Sequence, residues 1–410
     1  MFTAIPRLTI DYSKEEFAAI FRTLIKGQAL EGEALCQFET EFAKYIGAKY
    51  AVLISSGRSA LFHILKTLDY KPDDEIVLSS YNYYVVPEVI RLCGLRPVFC
   101  DIELSDYNIS TKAIESAITR RTRAIIATHM YGHPCDMEGI YSLAKRHNLD
   151  IIEDCAHSCG SEYKGIKTGA LGRVALFSFS MPKALTTFRG GAITTDDKRI
   201  YDSIKRLNDG SDHNARETFS DLTFGLAGYL FFKPWFFACA SYPVLLLMRR
   251  MAPDLLSKLF DNEPKRLTKG SIHSRAKFNN LKASVGMAQL RRLDSMIEKR
   301  RRVSELLIEN LESINGISLP RELPGARHNY LYFNILFDNP KLLSDRLYLK
   351  GVDTESSDFR DCSSLEIFKR YYSDSPNAQY ASSHILRIPN FSVLAEKKIS
   401  YVAESIRRCL

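Results

Sequence analysis

The chain has 410 residues, which is too long for one ordinary domain and predicts two. Hydrophobic residues make up 45% and charged residues 25%, a globular composition with ample material for a core. The net charge of +8 suits phosphates, nucleotides or an anionic membrane surface, and the lack of an aromatic RNA-binding motif argues against a nucleic-acid partner.

The first seven residues show no basic region followed by an apolar core, so we expect no signal peptide. Nine cysteines are scattered along the chain without a C-x-x-C pair, a pattern typical of reduced thiols in the cytosol. We therefore predict a cytoplasmic protein.

Helical patterns and short apolar runs alternate between residues 50 and 200. A helix is predicted by apolar side chains spaced at i, i+3, i+4 and i+7, namely Leu61, Ile64, Leu65 and Leu68. Asp136 can cap another helix, whose predicted apolar face contains Met137, Ile140, Tyr141 and Ala144. Candidate strands lie at residues 51–55, 75–78, 97–100, 124–127, 150–152, 174–179 and 192–195. Strands apolar on both sides that alternate with helices predict an α/β fold with a mostly parallel sheet.

A second, smaller α/β unit is predicted towards the C-terminus. A long helical pattern runs from about residue 281 to about residue 311, with apolar positions such as Val285, Leu293 and Met296 and a basic cluster at residues 299–302. Residues 330–336 alternate like a strand.

Ligands of parallel α/β sheets bind at the carboxyl ends of the strands. After the first predicted strand, Gly57, Arg58 and Ser59 can cradle a phosphate on backbone N–H groups, although such a turn is as often a plain helix cap. Tyr83 follows the strand at 75–78 within an aromatic cluster, which either stacks on a planar ligand or packs in the core.

Two further strand ends carry ionisable side chains. Asp154 follows the strand at 150–152, and His157 comes three residues later. A carboxylate there can pair with a protonated pyridine nitrogen, or it can cap a helix. Lys183 follows the strand at 174–179, where burial of an ammonium group is costly and a buried amine suits Schiff-base chemistry. The alternative is a surface lysine in a loop.

In their order and spacing these segments resemble the DegT/DnrJ/EryC1/StrS family, the sugar aminotransferases of pyridoxal 5′-phosphate (PLP) fold type I. The most specific segments are Glu-Asp-x-Ala-His at residues 153–157 and Ser-x-x-x-x-Lys at residues 178–183. Other matching segments lie at residues 32–50, 56–61, 97–102, 129–137, 190–191, 286–290 and 387–389. The resemblance implies a mostly parallel sheet flanked by helices in a large domain, plus a smaller C-terminal α/β domain.

The resemblance also implies a role for each residue around the cofactor ring. Lys183 is the catalytic residue that would hold PLP as a Schiff base and then act as acid and base. Asp154 would face the pyridine nitrogen, His157 would lie beside the ring and its phenolic oxygen, and Tyr83 would stack on the ring.

Phosphate binding is likewise implied by the resemblance, for Ser178 together with the turn formed by Gly57, Arg58 and Ser59. Arg275 and Lys277 align with a Gly-Tyr-Asn-x-Arg segment that reaches the neighbouring subunit's phosphate in the family. Here Arg275 replaces Asn and Lys277 replaces Arg, and both are cations that can bind phosphate. Arg189 stands where the family usually has Glu, a change that bears on the acceptor.

The implied function is the transfer of an amino group from glutamate to a nucleotide-linked keto-sugar, in glycan or antibiotic-sugar biosynthesis, by a homodimer with shared active sites. No metal is implied. One alternative is a PLP-dependent sugar dehydratase of the same family, which would carry histidine in place of Lys183. Another is a non-catalytic or membrane-recruited scaffold that retains the fold, an alternative that Arg189 and Arg275 leave open.

An apolar stretch at residues 222–250 is longer than we expect for this family. A membrane-spanning helix needs about 20 unbroken apolar residues, and Lys233, Pro234 and Pro243 interrupt this one. Two interpretations remain. Either the stretch covers a dimer or packs on the C-terminal domain, or Trp235, the neighbouring phenylalanines and residues 245–247 enter the inner face of a membrane.

We therefore divide the chain into three parts. Residues 1–25 form an N-terminal arm, and residues 26–270 form a large PLP-binding domain with an apolar insert at about 215–265. Residues 271–410 form the long helix and the small C-terminal domain.

Overall fold

The computed structural model describes residues 4–209, 214–252, 263–268, 270, 277–356 and 359–410. The strands of its N-terminal half are β1 (Tyr50–Ile54), β2 (Glu75–Ser79), β3 (Tyr81–Asn82), β4 (Arg96–Cys100), β5 (Thr122–Thr128), β6 (Asp150–Asp154), β7 (Glu162–Tyr163), β8 (Ile166–Lys167), β9 (Val174–Ser178) and β10 (Gly191–Thr195). Seven of them form the central sheet, in the order β1, β10, β9, β6, β5, β2, β4. The run from β9 to β4 is parallel, and β10 is antiparallel to both of its neighbours. The prediction of a mostly parallel sheet is confirmed.

Helices cover both faces of this sheet. The helices of the N-terminal half are α1 (Lys14–Ile25), α2 (Ala34–Ile46), α3 (Gly57–Thr67), α4 (Val85–Leu92), α5 (Thr111–Ala117), α6 (Met137–His147), α7 (Lys198–Asp209), α8 (Ala215–Phe231) and α9 (Pro234–Met251). Helices α3, α4 and α7 pack on one face, and α2, α5 and α6 pack on the other. Asp136 caps α6 by accepting the N–H of Gly139, as predicted. Tyr141, expected on the apolar face of α6, is 44% exposed, so that prediction is wrong.

The C-terminal half adds a second sheet. Its helices are α10 (Asn280–Leu290), α11 (Leu293–Leu311), α12 (Pro340–Leu349), α13 (Pro376–His384) and α14 (Glu396–Arg407), and its strands are β11 (Ile317–Ser318), β12 (Ala326–Arg327), β13 (Phe333–Phe337), β14 (Glu355–Ser356), β15 (Arg360–Asp361) and β16 (Ile385–Ile388). The sheet has the order β11, β13, β16, β14, and α11, α12 and α14 bury their apolar side chains on it. The smaller α/β unit is therefore present as predicted.

The single long helix predicted for residues 281–311 is wrong, because the chain breaks at Arg291 and Arg292 into α10 and α11. Arg292 holds this break through ion pairs with Asp11 at 3.1 Å and Glu16 at 2.7 Å. Helix α10 is buried on nearly all sides beside α1 and α2, whereas α11 continues to the second sheet. Periodicity alone does not distinguish one straight helix from two helices with this change of direction.

The apolar stretch forms two helices joined by a bend. Among the described residues, no single helix is both long and apolar enough to cross a membrane, and only the pair α8 and α9, bent by 63°, meets the length and composition requirement together. Phe237 is wholly buried in a cluster with Tyr242, Leu245 and Tyr348 of α12. The hydroxyl of Tyr242 donates to the carbonyl of Tyr348 at 2.6 Å. One side of the stretch therefore packs on the C-terminal unit, as one of the two interpretations expected.

Candidate active site

Strands β2, β5, β6 and β9 run parallel and end at the same edge of the central sheet. Asp154 and Ser178 are the last residues of β6 and β9, and Tyr83 directly follows β3. Lys183 lies in the loop between β9 and β10, where its N–H donates to the carbonyl of Ser180 at 2.9 Å. Side chains separated by up to 100 residues in sequence are thus brought to one edge.

Asp154 places a buried carboxylate at this edge of the sheet. Its Oδ1 atom accepts the N–H of Ala156 at 3.0 Å. Burial raises the pKa of Asp154, and the Ala156 N–H and the positive charge of Lys183 partly oppose that rise. Lys183 is therefore close enough to act electrostatically on the carboxylate. A further cationic N–H beside Asp154 would lower its pKa again, as a protonated pyridine nitrogen would.

His157 is buried beside the same lysine. Burial lowers its pKa well below the usual range, and the charges of Lys183 and Arg387 lower it further, so the ring is neutral. Its Nδ1 atom accepts the N–H of Tyr131 at 3.3 Å, which assigns the proton to Nε2. His157 can therefore donate one hydrogen bond to a ligand oxygen.

A small-residue cradle lies where α3 begins. Ser56 caps the helix by accepting the N–H of Ser59 at 3.2 Å. A Cβ atom on Gly57 would lie 3.1 Å from the Cβ of Ser178, and one on Gly191 would lie 3.1 Å from the nitrogen of Gly57. Glycine at both positions allows the start of α3, the end of β9 and the start of β10 to approach this closely. The N–H groups of the first helical turn and the hydroxyl of Ser178 form a site that suits a phosphate, with Arg58 exposed beside it.

Aromatic rings line the remaining wall. Tyr83 lies 6.2 Å from Phe359, and Phe359 lies 5.1 Å edge-on to His157, both measured between ring centroids. Tyr332 contacts His157 from another side at 5.4 Å. Sequence reasoning missed Tyr332 and Phe359, because nothing in their local pattern indicates that residues 175 and 202 positions later in the chain meet His157.

Arg275 and Lys277 are the residues expected to reach the phosphate of a partner subunit. Arg275 lies outside the described residues. Lys277 is half-buried, and its Nζ atom lies 3.9 Å from Asp209 at the end of α7. Arg189 pairs with Asp221 of α8 at 3.4 Å, and Asp221 also forms a buried ion pair with Lys282 of α10 at 2.7 Å. The arginine that replaces the family's glutamate thus connects the loop of Lys183 to the apolar stretch.

His129, Glu153 and Cys155 form a buried cluster whose ligand atoms lie within 4.8 Å of one another. Glu153 accepts hydrogen bonds from His129 at 3.0 Å and from the backbone N–H groups of Gly169, Leu171 and Gly172. Burial raises the pKa of the Cys155 thiol well above its usual value, so it stays protonated and is a poor metal ligand. These hydrogen bonds fix the chain next to Asp154 and explain why the three side chains lie together.

The donor set fits PLP. Asp154 suits a protonated ring nitrogen, the glycine-lined start of α3 suits a phosphate, and a lysine amine lies within electrostatic reach of both Asp154 and His157.

Comparison with known proteins agrees with this arrangement. The model of the DegT/DnrJ/EryC1/StrS aminotransferase family matches residues 11–231 and 257–407. A GDP-perosamine synthase of Escherichia coli O157:H7 is 28% identical over 379 residues, which cover 92% of this chain and 90% of that protein. A GDP-perosamine synthase of Caulobacter vibrioides is 30% identical over 306 residues, which cover 74% of this chain and 69% of that protein.

Solved structures give the same result. The crystal structure of S. venezuelae DesV in complex with a ketimine intermediate superposes with a TM-score of 0.76 at 26% identity. That comparison covers 96% of this chain and 94% of DesV.

Proposed function

Because the chain belongs to the DegT/DnrJ/EryC1/StrS aminotransferase family, we propose that it transfers an amino group from glutamate to a nucleotide-linked keto-sugar with PLP as its cofactor. The observation that carries this proposal is the placement of Asp154, Ser178 and the loop of Lys183 at one edge of the sheet, beside the glycine-lined start of α3. An amine and a buried carboxylate beside a phosphate cradle are the groups that PLP-dependent amino transfer requires.

PLP, when bound, supplies the electron sink that stabilises negative charge at the carbon losing its proton. Lys183 would hold the cofactor through its Nζ atom. As a free amine, that atom would move the proton from the donor Cα to the cofactor in the first half-reaction and from the cofactor to the acceptor carbon in the second. Asp154 would accept a hydrogen bond from the ring nitrogen and keep it cationic. His157 would donate from Nε2 to the phenolic oxygen.

Tyr83 would cover one face of the cofactor ring, and Gly57, Arg58, Ser59 and Ser178 would bind its phosphate. Arg275 and Lys277 would contribute to the same phosphate in the partner subunit of a symmetric homodimer, the commonest form of soluble oligomer. The glycan or antibiotic-sugar pathways remain the expected setting, since GDP-perosamine synthases are among the relatives.

The test is a visible spectrum of the purified, PLP-loaded protein, followed by a screen of nucleotide-linked keto-sugars with glutamate. We expect an absorption band that borohydride abolishes. We expect Lys183→Ala to lose both the band and all turnover, while its circular dichroism stays unchanged. Lys198→Ala, at an exposed lysine on α7, is the matched control and should behave like the wild type. Normal turnover in Lys183→Ala would refute the proposal, and a PLP-supplemented wild type without the band would favour the scaffold alternative.

We further propose that the enzyme works in the cytoplasm at the inner face of a membrane, with α8 and α9 as the contact. The exposed side of α8 beyond Glu217 carries no charge and presents Phe219, Thr223, Phe224, Ala227 and Leu230. The exposed side of α9 presents Trp235, Cys239, Pro243, Val244 and Leu247, followed by Arg250 and Met251. Exposed apolar surface of this extent marks an interaction site in most proteins.

Two observations favour a lipid surface as the occupant. The family model stops at residue 231 and resumes at residue 257, so the bend, Trp235 and α9 lie outside what the family shares. A tryptophan on the apolar side and an arginine at its end suit the boundary between acyl chains and anionic headgroups.

A further inference from the structure

Arg300 is a buried cation on the apolar side of α11. It is 8% exposed and lies among Met296, Ile297, Val303 and Leu307, which form the buried stripe of the helix. Its Nη1 atom has no hydrogen-bond partner, and among the described ranges Arg300 forms no ion pair. Burial lowers its pKa to about 10, although the charge of Asp11 opposes this. A buried arginine without a paired anion is costly, so a retained one calls for a compensating ligand.

Arg300 faces a cavity that contains two further arginines. The cavity is lined by Arg7, Arg300 and Arg387, together with Pro182, Tyr332 and Asn390 among others. Arg7 pairs with Asp353 and Glu355, and Arg387 pairs with Glu355 at 2.5 Å. The two carboxylates balance the charges of Arg7 and Arg387. The positive charge of Arg300 is therefore left without a balancing anion among the described residues of the cavity.

Asp11 is the other carboxylate whose charge acts on Arg300, and it is already engaged. Asp11 pairs with Arg292 at 3.1 Å, and its second oxygen accepts the hydroxyl of Ser392. It therefore offsets the charge of Arg300 only from a distance. The unbalanced charge in the cavity is a property of the assembled fold.

This cavity adjoins the proposed active site. Pro182, which lines it, directly precedes Lys183. The guanidinium of Arg387 lies 3.7 Å above the ring of Tyr332, and that ring contacts His157 at 5.4 Å. The charge of Arg387 also reaches His157, whose pKa it helps to lower. A ligand group in the cavity would thus be attached to a molecule that reacts at Lys183.

The volume restricts what this group is. The cavity holds about 20 Å³, which is room for one or two water-sized groups and far too little for a sugar ring. A carboxylate has two oxygens and one negative charge, so it fits both the volume of the cavity and its excess positive charge. Guanidinium groups bind carboxylates through charge-assisted hydrogen bonds.

We propose that Arg300 and Arg387 form the binding site for the α-carboxylate of the amino donor. This inference rests on the proposed function, because the donor carbon that meets Lys183 bears that carboxylate. The site accounts for a buried charge that the fold does not neutralise, and it selects α-amino acids over simple amines as donors.

The experiment compares Arg300→Met with Arg302→Met, a change at a 60% exposed arginine on the same helix. Calorimetric titration of the cofactor-free protein with 2-oxoglutarate measures carboxylate binding without turnover. Single-turnover spectroscopy of the PLP-loaded protein measures the glutamate half-reaction, and the reverse loading with pyridoxamine 5′-phosphate measures the keto-sugar half-reaction. Urea unfolding monitors stability.

For Arg300→Met we expect 2-oxoglutarate affinity and the apparent affinity for glutamate to fall on the order of 10- to 100-fold, the loss of a hydrogen bond between charged groups. The keto-sugar half-reaction should stay unchanged, and the urea midpoint should be equal or higher because a buried charge is removed. Arg300→Lys should recover part of the affinity, and Arg302→Met should match the wild type.

Unchanged 2-oxoglutarate affinity in Arg300→Met would overturn the inference. An equal loss in both half-reactions together with a lower urea midpoint would also overturn it, since that outcome indicates a structural role. Failure of the proposed function is a separate result. A wild type that binds 2-oxoglutarate through Arg300 yet transaminates no keto-sugar would refute the function and keep the carboxylate site.

Discussion

Asp154 illustrates how one residue serves the site at a cost to the fold. It is buried at the end of β6, and its raised pKa means that the folded protein binds a proton there more tightly than the unfolded chain does. Between the ordinary pKa of an aspartate and the raised value, the folded state therefore carries more protons. Stability falls as pH rises through this range, because the carboxylate loses its proton in a buried position.

We predict that Asp154→Asn separates the effect of Asp154 on stability from its effect on catalysis. In the cofactor-free protein the variant should be as stable as the wild type at low pH, increasingly more stable as pH rises from the ordinary aspartate pKa to the folded-state pKa of Asp154, and more stable by a constant margin above it. The PLP-loaded variant should lose activity on the order of 10²-fold or more, because an amide does not hold the ring nitrogen cationic. Thermal unfolding at a series of pH values and steady-state kinetics measure the two effects.

Asp150→Asn, at the partly exposed start of the same strand, is the control for a change of charge in β6. A pH-independent difference in stability between Asp154→Asn and the wild type would contradict the assignment. Full activity in the variant would contradict the role of Asp154.

At the scale of elements, the apolar stretch divides into a side that packs and a side that is exposed. The expectation that the phenylalanines after Trp235 and residues 245–247 all enter a membrane is wrong for Phe237 and Leu245, because both are buried. The reason is the π-helical turn at Phe237–Ser241, which shifts the face that α9 presents. Replacing Phe237 would therefore disturb the contact with Tyr348 rather than test membrane binding.

We predict that Trp235→Ser, Val244→Ser and Leu247→Ser together release the protein from anionic liposomes while PLP binding is retained. All three side chains are more than half exposed, and their combined loss should weaken partitioning on the order of 10²-fold or more. Co-sedimentation with vesicles at low salt, followed by PLP absorbance, measures both quantities.

The matched control is Leu349→Ser with Val393→Ser, two exposed apolar side chains outside the stretch. This pair should leave vesicle binding unchanged. If the wild-type protein does not bind vesicles at low salt, the membrane proposal fails and the exposed side belongs to a protein interface.

At the scale of the whole molecule, the prediction concerns a symmetric dimer with shared sites. Chains carrying Lys183→Ala and chains altered at both Arg275 and Lys277 should each be inactive alone. After subunit exchange, a mixed dimer keeps one site with an intact lysine and an intact phosphate contact, so activity should return in part. Activity and sedimentation of the mixture measure the result, with a mixture of Lys183→Ala and Arg302→Met chains as the control.

Proven exchange without any recovery would show that each subunit carries a complete site. Activity of either variant alone would show that the altered residues are dispensable.

Much of this molecule follows from local patterns. The seven strands of the central sheet and the capping of α6 by Asp136 were predicted because hydrophobic periodicity and caps depend on neighbouring residues. The positions of Asp154 and Lys183 near one edge were also predictable, because parallel strands bring their carboxyl ends together. The spacing of Glu-Asp-x-Ala-His and Ser-x-x-x-x-Lys indicated the family, which the comparison confirms.

Other features depend on contacts between residues far apart in the chain, and only the tertiary structure decides them. The break between α10 and α11 requires Asp11 and Glu16 to meet Arg292, and the wall around His157 requires Tyr332 and Phe359. The arginine cavity combines residues 7, 300 and 387. The one local sequence signal of this cavity is an arginine, Arg300, within the apolar stripe of α11. Whether such a charge is neutralised depends on the carboxylates that folding places around it, so its surplus is visible only in the assembled protein.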